Sequence, residues 1–552
     1  MQRRIQDAGW FVLQFFVLLI LTILLQVKNG AYKAEFTSDA AAHYITSLLV
    51  HDYVASGFAQ PPIPYALNFD AHYAFVGFGL WPPAFYGLSG LWFLVFSGSK
   101  VSALVLSASI TALLAVVAGR IARSLYGVAA GIGCALLLLA VPTVQAQTGQ
   151  LMVDSSVALL SLLAALAFAR YLDEERWIYS ALFGLLAAAA IMTKGNGGLL
   201  ALLPPAAVVL GRRWRILLRP SFWIPIPIVA LPAVPWYLLT YKWTSAGFYY
   251  HWGWDYTSLA IRTNFATLYN EFGPGLMAFA AIGAVRALMI AGREERDAAN
   301  ALVVLCVLLA CFAFQAIVPT ALPPRYLLPI FAPLLVLSVG GVTYVANVAG
   351  DRLGSKAAGG RGAWLGPGCL VLAWALALAP FAGAAASVPQ ERSLAIQHLV
   401  EDVIARFPQA NPTVAICSDG LGESAFATEV ASRDPARPRY VVARGTRLFG
   451  GGGYRLDQYE ERFTRNEDVL SLLDEFAIAM VVVDFSADSF EWGHNKRLAE
   501  IAADPRNGWK LISEVHTPEG RDWRAYEIPG NMNRPMEKDK LLRELAPRKD
   551  IR

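Results

Sequence analysis

"TSDAAAHYITSLLVHDY", residues 37–53, places Asp39, His43 and Asp52 directly after the apolar run "FVLQFFVLLILTILLQV" at 11–27. A run of that length and composition suits a helix crossing a bilayer. The polar stretch begins where such a helix ends, and its location decides how the rest of the chain is read. The basic start "MQRR" has the outline of a secretion signal. The apolar run exceeds a signal core, however, and no small-residue cleavage site follows, so it reads as a retained first span.

Apolar runs recur through the first 390 positions, predicting spans at 10–27, 101–119, 127–145, 154–170, 177–193, 197–211, 221–240, 273–290, 300–318, 326–347 and 364–385. The whole chain is 56% hydrophobic and 16% charged, against roughly 45–50% and 25% in soluble domains. Alternate turns collect the basic residues: Arg3 and Arg4, Arg120 and Arg123, Arg170 and Arg176, "GRRWR" at 211–215, "GREER" at 292–296 and "DRLGSKAAGGR" at 351–361. The positive-inside rule then puts the N-terminus in the cytoplasm and the C-terminal region outside the cytoplasmic (inner) membrane. About eleven transmembrane helices reconcile every loop. "PPAFYGLSGLWFLVF" at 82–96 would invert all later loops if it crossed, so it is expected to lie in the interface. Residues 28–100 become one external loop with interfacial helices at 39–57 and 83–97. Ile45, Leu48, Leu49 and Tyr53 supply the apolar face of the first.

Beyond 390 the pattern changes. "TVAICSD" (413–419), "RYVVAR" (439–444), "AIAMVVVDF" (477–485), "WKLISEV" (509–515) and "WRAYEI" (523–528) are strand-like, with helical segments at 391–406 and 466–475. The expected fold class is a polytopic α-helical membrane protein with a C-terminal soluble α/β domain. Residues 1–390 form the membrane domain, 391–530 the external domain and 531–552 a polar tail. Gly450–Gly453 lacks the Lys-Ser/Thr and helix of a phosphate-binding loop. Cys134, Cys306, Cys311, Cys369 and Cys417 show no CxxC spacing and read as small core residues. A net charge of +4 gives no reason to expect nucleic acid.

The predicted topology brings the ionisable residues at span ends to one face: Asp39 and His43, Asp70 and His72, Asp154, Lys194, His251 and Asp255, and Arg325. Each has an ordinary reading. Asp39 and Asp154 suit the first turn of a helix, where the dipole favours a negative charge. Lys194 and Arg325 suit cations reaching for headgroups. The histidines suit backbone or lipid partners.

Taken in order, the motifs resemble the family 39 glycosyltransferases of the GT-C type, which include protein O-mannosyltransferases and the lipid A aminoarabinose transferase. "SDAAAHY" (38–44) stands where that family carries its first acidic motif, with Asp39 matching the first acid and Ala40 in place of the usual second. "WPPAFY" (81–86), Asp154, "TKG" (193–195) and "RYLLP" (325–329) follow in the family's order. The resemblance covers about 10–350, and the C-terminal domain only by type. It implies a GT-C fold and transfer of a sugar from a polyprenyl-phosphate donor to a hydroxyl on a glycan, lipid or protein acceptor, within a membrane-lipid environment. Lys194 and Arg325 then stabilise the leaving phosphate. Asp39 is the expected base, and one base suffices for an inverting single displacement. Asp154 orients the acceptor or helps to hold a divalent cation, for which Asp39, Asp154 and His72 are the candidate ligands. His43, His72, Trp81 and Tyr326 join the substrate site. A transporter or lipid flippase is the alternative, with "PSFWIPIPIVALPAVPW" (220–236) as a broken helix. A non-catalytic assembly partner with a sensing ectodomain is a third reading.

Overall fold

A computed structural model describes residues 2–77, 79–291, 298–354, 362–386, 388, 392–407, 412–451, 459–517, 520–532 and 534. The basic turn 292–296, most of the turn 351–361, Gly452 and Gly453, and the tail beyond 534 lie outside these residues. The helices are, in chain order, α1 (Gln2–Lys28), α2 (Ser38–Ala55), α3 (Pro62–Tyr73), α4 (Ala84–Val95), α5 (Lys100–Tyr126), α6 (Val128–Ala140), α7 (Pro142–Thr148), α8 (Asp154–Glu174), α9 (Trp177–Ile191), α10 (Leu203–Leu210), α11 (Pro220–Trp223) and α12 (Pro225–Thr244). They continue as α13 (Trp254–Ile290), α14 (Ala298–Ile317), α15 (Leu328–Gly354), α16 (Gly362–Ala386), α17 (Ile396–Ala405), α18 (Gly420–Arg433), α19 (Gly445–Leu448), α20 (Asn466–Glu475) and α21 (Gly493–Ala503). The strands are β1 (Thr413–Cys417), β2 (Val441–Arg444), β3 (Gly450–Gly451), β4 (Glu460–Glu461), β5 (Met480–Asp484), β6 (Lys510–His516) and β7 (Asp522–Glu527).

The chain folds into two compact units. One comprises residues 1–29, 79–85 and 105–390; the other comprises 30–78, 86–104 and 391–552. The first is helical. Among the described residues, eight of its helical segments are long and apolar enough to cross a membrane. A ninth arises if α6 and α7, bent by 64° at their junction, count as one span. This is a multi-pass membrane protein. The other two expected spans, 177–193 and 197–211, are the shorter apolar helices Trp177–Ile191 and Gly195–Leu210. At 1.5 Å per residue the 15 residues of α9 reach only about 22 Å, short of a hydrocarbon core of about 30 Å. The Pro-rich segment is α11 followed, after Ile224, by α12, which runs on through Pro232 and Pro235.

Helix α13 adds something the apolar runs did not reveal. It starts 19 residues before the predicted span and turns sharply at Gly273, whose φ of 71° suits glycine ahead of Pro274. Its first half buries Tyr256, Ala260, Asn264, Leu268 and Phe272, a single stripe at every fourth residue. That stripe is too narrow for a hydropathy window to detect.

The second unit is mixed. Its five-stranded sheet has the order β2-β1-β5-β7-β6, with β1 parallel to β2 and β5, and β7 antiparallel to β5 and β6. Every residue of β1 and β5 is buried, as expected of strands covered on both faces. Strands β1, β2 and β5 fall within the runs marked in the sequence, and β6 and β7 each extend one residue beyond theirs, to His516 and from Asp522. Asp484 closes β5 and accepts from the Ser418 hydroxyl after β1 at 2.7 Å, while Arg521 joins Asp484 to Asp419.

Helices α2 and α3 belong to this unit, and here the expected interfacial helix at 39–57 is corrected. Residues Ala40 to Leu49 of α2 are all buried, so this part of the helix presents no exposed stripe, while positions 50–55 are partly or fully exposed. Its polar positions have partners instead: Ser47 with Ser89 at 2.6 Å, and Thr46 Oγ1 accepting from the Gly77 amide at 2.9 Å. Gly90 lets α4 approach closely, since a Cβ there would lie 2.7 Å from Val50. Asp52 is gripped by Arg437 at 2.8 and 3.0 Å, a bidentate fork. Glu35 accepts from the Leu394 and Ile396 amides at 2.7 and 3.2 Å, an anion at the entry of α17. The compact unit built on the C-terminal sheet is thus larger than 391–530.

Fully buried Glu423 accepts from Arg444 Nε and from the amide and hydroxyl of Thr446 at 2.8, 2.8 and 2.6 Å. Burial raises its carboxyl above the ordinary 4.5, and these donors offset only part of that cost. A raised folded-state value contributes stability that is present below pH 4.5 and lost as pH rises through the folded value. Glu423→Gln is therefore expected to flatten the fall in stability above pH 4.5, read by tryptophan fluorescence across a pH series of denaturation curves. An unchanged slope would remove Glu423 as its source.

Candidate active site

The helical unit brings four of the marked residues together. Asp154 opens α8 and lies 2.7 Å from the Lys194 ammonium, with both side chains almost wholly buried. Lys194 is extended and precedes a 3-10 turn at Gly195–Ala201. Its ammonium sits 4.1 Å above the Tyr326 ring, and the Arg325 guanidinium lies 5.7 Å from the same ring. Lys194, expected as a cation for the leaving phosphate, is held between a carboxylate and an aromatic face. Asp154 Oδ2 has no hydrogen-bond partner among the described residues.

Backbone packing fixes this arrangement. The Ala84 amide donates to the Met192 carbonyl at 2.9 Å, fastening the Trp81-Pro82-Pro83 turn to the strip before Lys194. Tyr237 donates to the Ile191 carbonyl at 2.9 Å. A Cβ on Gly197 would lie 2.4 Å from Ala190 and Ile191 backbone atoms, so only glycine lets the "TKGNGG" turn fold back on α9. The Tyr326 carbonyl receives Gln315 Nε2 at 3.4 Å, and Tyr256 Oη donates to the Gln315 carbonyl at 2.9 Å.

The other candidates lie in the mixed unit. Asp39 is half-buried in the first turn of α2, beside Ser38, whose amide donates to Ser424 Oγ at 3.0 Å. His43 is buried one turn later, its Nδ1 2.9 Å from Tyr86 Oη. Asp70 accepts from the Val76 amide at 3.0 Å and faces Arg447 at 3.5 Å. His72, fully buried, donates from Nδ1 to the Asn68 carbonyl at 2.6 Å. His251 and Asp255 are exposed.

Of the candidate cation ligands, Asp39 and His72 belong to the mixed unit and Asp154 to the helical one. Lys194 already occupies one oxygen of Asp154, and His72 spends a ring nitrogen on its own helix. Among the described residues, three ligand atoms come within 4.8 Å of one another only at Glu514, His516 and Asp522, on the β6–β7 hairpin. The sequence reading also passed over Tyr86, the partner of His43, and Glu271. Glu271, in α13, accepts from the Thr143 amide and hydroxyl at 3.1 and 2.6 Å at the start of α7. Tyr86 closes the "WPPAFY" motif (81–86). Glu271 sat in the half of α13 that the apolar runs did not mark.

The chain has the GT-C glycosyltransferase fold. Residues 81–238 match the family model described as dolichyl-phosphate-mannose-protein mannosyltransferase, a segment that holds Trp81, Asp154 and Lys194. Among solved structures, ArnT from Cupriavidus metallidurans in the apo state is similar over 96% of this chain and 100% of its own, with TM-score 0.58 and 15% identity. The same protein bound to undecaprenyl phosphate gives 0.56 and 14%, over 96% and 99%. The archaeal oligosaccharyltransferase AglB from Archaeoglobus fulgidus, in complex with an inhibitory peptide and a dolichol-phosphate, gives 0.51 and 14%, over 92% and 74%. At these identities the likeness is one of fold. No curated protein sequence matches the chain.

Proposed function

We propose that this protein is a glycosyltransferase that moves a sugar from a polyprenyl-phosphate donor to a hydroxyl on a glycan, lipid or protein, at the external face of the cytoplasmic membrane. The observation that carries the reading is the buried Asp154–Lys194–Tyr326 cluster, whose first two members lie inside the segment matched by the mannosyltransferase family model. The ArnT structure bound to undecaprenyl phosphate supports a lipid-phosphate donor. So does an apolar cavity of about 770 Å³ whose wall includes Ile191, Gly197 and Tyr237, next to Lys194 in the fold, and which suits an isoprenoid tail.

In the proposed step, the acceptor hydroxyl gives its proton to Asp39 as its oxygen bonds to the anomeric carbon. The bond from that carbon to the phosphate oxygen breaks, and the lipid phosphate leaves with the electron pair. Arg325 receives the charge that develops on the departing oxygen. A planar guanidinium suits a phosphate, and a fixed cation acts most strongly where water is scarce. Lys194 and Asp154 hold the Tyr326 ring and, through it, the Arg325 segment. Trp81, His43 and His72 shape the surroundings of the substrates.

Purified protein in liposomes, supplied with a polyprenyl-phosphate sugar, is expected to consume it and to glycosylate an added acceptor extract. Arg325→Ala is expected to lower turnover by about 10²- to 10³-fold, the scale of losing one oxyanion donor. Movement of the lipid across the bilayer with its sugar intact would establish transport instead.

A further inference from the structure

Helices α5 and α6 meet backbone to backbone. A Cβ on Gly119 would lie 2.9 Å from the Gly131 carbonyl oxygen, and one on Gly131 would lie 2.7 Å from that of Gly119. Helix α1 leaves much of its surface exposed, Leu13 by 52% and Val17 by 47%. Between α1 and the α5–α6 pair runs a cavity of about 540 Å³, walled by Leu13, Val17 and Leu21, Val116, and Ile132 and Leu136. Arg120 and Arg123 close one end, three residues apart and so on one face of α5. The Arg120 guanidinium rests 5.5 Å over the Phe11 ring. Neither arginine has a carboxylate partner among the described residues. Trp10 lines the same cavity, and tryptophan is favoured at headgroup depth.

An apolar slot ending in two guanidinium groups that have no carboxylate partner among the described residues is complementary to a molecule with a long apolar chain and a net negative head. We propose that this groove binds an anionic phospholipid, its phosphate on Arg120 and Arg123 and an acyl chain between α1 and α6. A zwitterionic lipid brings an ammonium group that offsets the attraction, so the site discriminates by net headgroup charge. The positive-inside reading assigns this end of α5 to the cytoplasmic leaflet, where basic grooves between helices meet anionic lipid. The polyprenyl-phosphate donor is assigned to the opposite face.

Native mass spectrometry of delipidated full-length protein tests the proposal, with phosphatidylglycerol and phosphatidylcholine added in separate arms. The parent is expected to retain phosphatidylglycerol about thirtyfold better, and Arg120→Ala/Arg123→Ala to bind the two lipids equally. Arg120→Lys/Arg123→Lys is expected to keep most of the preference. Ala135→Phe, in the wall of the groove, is expected to weaken phosphatidylglycerol retention with both arginines in place. Equal retention of both lipids by the parent, or an unchanged preference in the double alanine variant, would overturn the site. Displacement of phosphatidylglycerol by equimolar undecaprenyl phosphate would overturn the choice of lipid.

Discussion

Lys194→Met is expected to destabilise the protein by about 3–5 kcal/mol, the usual cost of leaving one member of a buried ion pair without its partner. The ammonium and carboxylate are 2.7 Å apart, with side chains only 10% and 2% exposed. Removing the cation strands Asp154, whose second oxygen already has no hydrogen-bond partner among the described residues. A double variant, Asp154→Leu/Lys194→Met, is expected to recover most of the loss, because two apolar residues of similar volume carry no desolvation cost. Denaturation curves in mixed micelles give both values, and with Asp154→Leu alone they yield the coupling energy, the double-variant change minus the sum of the two single-variant changes. A single-variant loss of less than about 0.5 kcal/mol, the surface range, would show that the pair is not buried as described. Transfer is expected to fall in the double variant as well, since the Tyr326 ring loses the ammonium that rests on it. Stability and activity therefore separate, which distinguishes a positioning role from a purely structural one.

Asp39→Asn is expected to have the largest effect on turnover, a fall of about 10²- to 10⁴-fold, with the denaturation curve unchanged. The substitution keeps the shape of the side chain and its suitability for the first turn of α2, but it removes the group that accepts the acceptor's proton. Activity equal to the parent would end the assignment of Asp39 as base, whatever became of the rest of the site. Donor consumption that continues while acceptor glycosylation ceases would point instead to hydrolysis by water, with Asp39 needed to select the nucleophile.

The sequence disclosed those features whose signal is local. Strands β1 and β5 are continuous apolar runs, and α5, α8 and α14 are long apolar helices, so both kinds could be read without tertiary information. The motif around Lys194 was legible as a turn at a span end. Its partner was not, because Asp154 is 40 positions away and ordinary as the first residue of a helix. Helix α2 misled for a related reason. An apolar stripe of Ile45, Leu48 and Leu49 looks the same whether lipid or protein covers it. Only the partners of Thr46 and Ser47 reveal that the polar side is buried too. Helix α3 and the first half of α13 fell below the threshold of any hydropathy argument, being short or only narrowly apolar.

The unit that contains Asp39 and the C-terminal sheet is assembled from three separated stretches of chain, and this bears on how a cell must make the protein. Asp52 leaves the ribosome 385 residues ahead of Arg437, and Glu35 emerges 359 residues ahead of the Leu394 amide it binds. At about 5–20 residues per second, the early segment waits roughly 20–80 s for its partners while the translocon inserts the remaining helices. During that interval Phe36, Tyr44 and Tyr73, all fully buried in the finished fold, have only early neighbours such as Phe69 and Phe93, and Tyr73 lacks Asp434, the acceptor of its hydroxyl. Biogenesis thus imposes a delay, and a chain that stalls before its last stretch is left with part of a core unpacked.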